Sequence, residues 1–170
     1  TRSLAYPEAV PGHHFQMAIQ QELTDLPRFR RAAMFGDLTA YVEGWGLYAE
    51  RLADEEGWYA GDPRGRIGYL NNMLWRARRL VVDTGIHAKQ WTRQQGIDYG
   101  IAPYEVERYI VHPGQACAYM IGQLKIVELR EKVRARLGDR FSIKEFHNAV
   151  LRVGGVPLSA LEAEIDRVFP

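Results

Sequence analysis

Helix punctuation is the densest local signal in this chain, and strand patterns are nearly absent. "GDPRGRIGYL" places Asp62 as a cap before Pro63, a residue suited to the first helical turn. "TRQQ" (Thr92, Gln95) and "SIKE" (Ser142, Glu145) have capping-box spacing. Gly57, Gly138 and the pair Gly154–Gly155 read as stops. Between these marks, Tyr41, Trp45, Tyr48 and Leu52 recur at helical spacing, and Leu70, Leu74, Ala77 and Val81 continue a stripe on the next segment. "PGHHFQMAIQQEL" reads as a helix starting at Pro11. "TDLPRFRRAAMFGD", broken by Pro27 and Gly36, reads as loop with a short turn. The expected fold class is all-α: one domain over residues 1–170, with about seven or eight helices.

Composition removes several function classes. The formal net charge of +1 gives no electrostatic case for nucleic acid, and no nucleic-acid partner is expected. Arginines alternate with acids in "ERLADEEGW" and "LREKVRARLGDR", the pattern of solvated helix faces laced with i,i+4 pairs. No apolar run approaches the ~20 residues of a membrane span. A single cysteine, Cys117, excludes an intrachain disulfide and sits in an apolar run as a buried small hydrophobe. The chain opens without Met, reads as the interior of a longer protein and leaves the compartment open between cytoplasm and cell envelope.

The stretch "YPEAVPGHHFQ" sets Glu8 near two adjacent histidines, His13 and His14. It differs from the helical zinc-protease pattern HExxH, since Pro7 precedes Glu8 and the next histidine comes five positions later. Neighbouring helical positions point about 100° apart, so one histidine could bind a metal while the other contacts substrate. Seated in the turn before the helix, both could reach one ion. Glu43 lies between aromatics, with Gly44 and Gly46 beside it. Interior helical glycines cost about 1 kcal/mol each against alanine, so this pair signals close approach by a backbone or a ligand. Glu50, on the same face, is expected to pair with an arginine. Asp83 stands at i−4 from His87, a spacing that can fix an imidazole tautomer. Tyr109 is a candidate oxyanion donor, and His112 and His147 read as structural.

The strings "EAVPGHHFQ", "YVEGWGLYAERL", "RLVVDTGIHAKQWT", "RYIVHPGQACAYMIGQLKI" and "FHNAVLRVGGVPLSALE" resemble, in order, the bacterial domain of unknown function numbered 885, a family placed near the zincin-type metallopeptidases. Members of that family are much longer, and this chain resembles their C-terminal part. The resemblance implies a helical fold like the catalytic part of helical zinc peptidases. It also implies a site in which Glu8 is the general base, His13 and His14 are the downstream histidines, and Glu43 is the glutamate of the following helix. Family members carry histidine just before the motif glutamate, and this chain has Pro7 there. His87 is the candidate substitute ligand.

The expected function is zinc-dependent hydrolysis of a peptide substrate, with His13, His14 and Glu43 holding the metal and Glu8, His87 and Tyr109 acting on the reaction. The alternative is a metal-free peptide-binding or scaffold module, because of Pro7. A third expectation is association through exposed apolar stripes, as a homodimer or with a missing N-terminal segment.

Overall fold

The structure is a computed structural model that describes residues 2–33 and 38–170. Its described residues are mostly helical, with no strand among them. The helices are α1 (Arg2–Glu8), α2 (His13–Glu22), α3 (Arg28–Arg31), α4 (Thr39–Glu55), α5 (Pro63–Lys89), α6 (Arg93–Asp98), α7 (Pro103–Val111), α8 (Gln115–Leu137), α9 (Ile143–Arg152) and α10 (Leu158–Val168). Among the described residues that is ten α-helices where the sequence suggested seven or eight, because α1 and the single turn of α3 add to the segments read as helical. The expected break at Gly36 lies outside the described residues.

The local signals act as read. Asp62 accepts the Gly65 amide at 2.9 Å at the start of α5, and Thr92 and Gln95 form the full reciprocal box on α6. One start is displaced. The helix expected from Pro11 begins at His13, with Gly12 as an N-cap that has no side-chain acceptor. The Trp45 indole N–H donates to the Pro11 carbonyl at 2.8 Å, which ties this turn to α4.

Helices α4 and α8 form the centre. The α4 stripe of Tyr41, Trp45 and Tyr48 is buried with Ile126, Leu129 and Val133 of α8, and α9 and α10 close over them through Phe146, Val150, Leu161 and Ile165. A second cluster joins α5 to α7 and α8 through Val82, Val106, Tyr109 and Ala116. A third, around Ala53, Tyr59 and Tyr69, holds Tyr6 of α1. Cys117 is buried, as expected.

Two expectations are corrected by packing. The stripe on α5 faces outward: Leu70 and Leu74 are 51% and 50% exposed. The inward face carries Tyr69, Arg79, Val82 and Asp83 instead. Arginines are also not confined to solvated faces. Arg130 is buried against the Glu55 carboxylate, at 2.7 Å and 3.1 Å through its two terminal guanidinium nitrogens. Arg79 is buried with Glu105 at 3.4 Å. No helix among the described residues is long and apolar enough to cross a membrane.

Candidate functional site

A cavity of about 190 Å³ opens where α1, α2, α4, α5 and α8 meet. It is lined by Pro7 and Glu8 of α1, His13 of α2, Glu43, Gly46, Leu47 and Glu50 of α4, Arg76 of α5 and Tyr119 of α8. Four of the residues singled out in the sequence, Glu8, His13, Glu43 and Glu50, are thus brought to one place.

The local geometry explains the two glycines beside Glu43. A methyl on Gly44 would stand 2.5 Å from the Cα of Gly122, so α4 and α8 touch backbone to backbone at this level. A methyl on Gly46 would stand 2.5 Å from the His13 Nε2, so the imidazole rests against the bare α4 backbone. The glycines therefore admit a neighbouring helix on one side and the site histidine on the other.

His13 Nε2 lies 3.4 Å from the Glu43 carboxylate, with both side chains partly exposed. The Glu43 bond raises the His13 pKa above its ordinary value, against the opposing effect of burial. At Glu43, burial pushes the carboxyl upward, but bonds from His13 and Tyr119 and the charges of His13 and Arg76 outweigh it and the pKa falls. The pair therefore favours imidazolium with carboxylate. Seven residues on, Glu50 is 1% exposed and accepts the Asn72 amide at 2.9 Å. Its hydrogen-bond partner is this amide rather than the expected arginine, and the Arg76 charge reaches it only through space. Burial raises the Glu50 carboxyl to about 7.

The other sequence candidates lie elsewhere. His14 is exposed and does not line the cavity. His87 is also exposed, and its Nε2 pairs with the Tyr109 carbonyl at 2.9 Å. Asp83 does not orient it, since both its carboxylate oxygens accept the Gly114 amide at 3.1 Å ahead of α8. Tyr109 is buried, and its hydroxyl accepts from Arg79 Nε at 3.1 Å. His112 is exposed, whereas His147 Nε2 pairs with the Tyr48 hydroxyl at 2.8 Å in the core. Two cavity residues were missed, Arg76 and Tyr119. The arginine-rich run after Trp75 and the quoted string containing Tyr119 were the available signals.

A structural zinc site needs four protein donors, and a catalytic one three with an open position. His13 and Glu43 supply two. Pro7 has no donor where the resembling motif has imidazole. Among the described residues no three His, Cys, Asp or Glu side chains converge as a metal-holding group. The residues present therefore do not by themselves fit a three-ligand zinc centre.

Among solved structures, the chain is similar to a "putative lipoprotein" from Colwellia psychrerythraea, with TM-score 0.92 and 47% identity over 99% of this chain and 30% of that one. It is also similar to a "putative lipoprotein of unknown function" from Shewanella oneidensis, with TM-score 0.82 and 27% identity over 95% of this chain and 30% of that one. The chain thus spans about 30% of the length of these two relatives. No curated protein matches it. A family model described as "Bacterial protein of unknown function (DUF885)" matches residues 1–165, and with the match covering nearly the whole chain, the protein belongs to that family.

Proposed function

We propose that the cavity binds a peptide and that, in this chain, it does so without hydrolysing it. The observation that carries this reading is the donor set: Glu8, His13 and Glu43 share one cavity, but the position before Glu8 is Pro7 and the Glu43 carboxylate is already engaged by His13. The ligand class rests on the resemblance to zincin-type peptidases. A cavity of about 190 Å³ is smaller than the several hundred Å³ of a drug-sized pocket, which suits one residue of a peptide rather than a folded partner.

A second reading, zinc-dependent peptide hydrolysis, is favoured by the approach of His13 to Glu43 with Glu8 on the same cavity wall. It requires a further donor, from outside this chain or from a rearranged site. One experiment separates the two: zinc titration of the wild-type chain and Glu43→Gln by calorimetry, alongside peptide binding and turnover with and without chelator. Binding without turnover, indifferent to chelator, is the expected result. Zinc affinity that falls about 10- to 100-fold in Glu43→Gln, with chelator-sensitive cleavage, would establish the second reading instead.

A further inference from the structure

Arg76 is the one cavity residue whose hydrogen-bonding capacity is conspicuously unused. Its Nε and Nη1 are buried and have no hydrogen-bond partner among the described residues. Its guanidinium is nonetheless held in place. The Cζ lies 4.4 Å from the centre of the Trp75 ring and 4.7 Å from that of Tyr119. Aromatic faces on an arginine fix its plane but leave its N–H edge open. Burying such donors without a partner is costly, more so on a charged group.

The cavity acids Glu43 and Glu50 act on Arg76 through charge alone, against burial and the like charge of Arg79, and neither of them fills its buried N–H groups. Arg79, the nearest like charge, is already paired with Glu105. Of the cavity acids, Glu43 is paired with His13, and Glu50 accepts the Asn72 amide. Glu8 sits at the exposed rim. No carboxylate lies within ion-pair distance of the Arg76 guanidinium among the described residues, and the cavity opens onto it.

From the unpartnered, aromatic-clamped guanidinium in a residue-sized cavity, we infer that Arg76 receives a carboxylate, the free C-terminus of a bound peptide. A planar carboxylate presents two oxygens at the spacing of guanidinium N–H groups, the geometry that favours Arg over Lys. The Tyr119 hydroxyl and the His13–Glu43 pair then face the last residue of that peptide. The inference rests on the peptide-binding reading for the identity of its ligand. The carboxylate preference follows from Arg76 alone.

The test uses the wild-type 170-residue chain with three probes: N-acetyl-Ala-Ala with a free carboxylate, its C-terminal amide, and acetate. Affinity is read by NMR titration, following the Arg76 Nε–H resonance. The free acid is expected to bind at least about 10-fold tighter than the amide and to move that resonance downfield, as a charge-assisted bond forms. Arg76→Lys is expected to keep most of the fold and lose most of the preference. Equal affinity for acid and amide would leave a peptide pocket but overturn the carboxylate assignment. Acetate moving the Arg76 resonance while neither peptide binds would sustain the carboxylate site and overturn the peptide reading. An Arg76 resonance unmoved by all three probes would overturn the assignment outright, with no variant needed.

Discussion

At the scale of single residues, two titratable groups, the half-buried His147 and the buried Glu50, pull stability in opposite directions with pH. The His147 Nε2 pairs with the Tyr48 hydroxyl, whose oxygen accepts from Arg130 at 3.2 Å. Burial, with the nearby Arg130 charge, lowers its pKa from the ordinary 6.5 to about 4. Between those values the unfolded chain binds a proton that the folded chain does not. Stability is therefore whole above about pH 6.5 and drains as pH falls toward 4, by on the order of 1–3 kcal/mol after allowing for partial exposure. Glu50, raised to about 7, works the other way: its contribution is present at low pH and fades as pH rises through 7. His147→Gln should flatten the loss between pH 6.5 and 4 in chemical denaturation, while the Glu50 slope above pH 5 persists. An unchanged acid limb in the variant would remove His147 as its source. The candidate site was legible at this scale only where chemistry and spacing coincide locally. Glu43, followed by Gly44 and Gly46, is such a case. Arg76 and Tyr119 were not legible, because what gives them a role is a cavity assembled from helices far apart in sequence. Asp83 and His87 misled, because i−4 spacing permits a bond that the stronger demand of the Gly114 amide pre-empts.

At the scale of elements, the fold hangs on the seam between α4 and α8. Gly122 faces Gly44 across it, and a methyl at Gly122 would press on the Gly44 Cα at 2.6 Å. Gly122→Ala gains about 1 kcal/mol of helix propensity and forces two backbones apart. The net expectation is a loss of about 2 kcal/mol or more in thermal or denaturant unfolding, whereas a stabilised variant would mean that the helices are not in contact there. Helix ends were readable because caps are local chemistry: Asp62 with Gly65, and Thr92 with Gln95. The orientation of α5 was not readable. Periodicity marks an apolar face but cannot say whether it is covered, and α5 buries a polar face instead because Arg79 and Asp83 find partners on neighbouring elements.

At the scale of the whole molecule, the outward stripe of α5 bears on how the chain behaves alone. Ile67, Leu70 and Leu74 are each at least half exposed, and Val81 extends the row. Contiguous apolar surface of this kind drives association. The 170-residue chain is expected to self-associate in light scattering. Leu70→Lys with Leu74→Lys should reduce that while changing stability by no more than about 0.5 kcal/mol per site, since neither side chain is buried. A clean monomer at the highest attainable concentration would count against it. The seam of Gly44 and Gly122 has one more consequence, in time rather than in space. Glu43 and Tyr119 ride on two long helices whose backbones are locked together. Glu8 and His13 ride on a seven-residue helix and on a helix start with no side-chain cap. Short uncapped helices open readily, and locked ones open only with the whole fold. The cavity thus has a slow wall and a fast one. Amide exchange should be slowest along the α4–α8 seam and fastest across residues 2–22. An occupant should reveal itself first as protection gained on the fast wall.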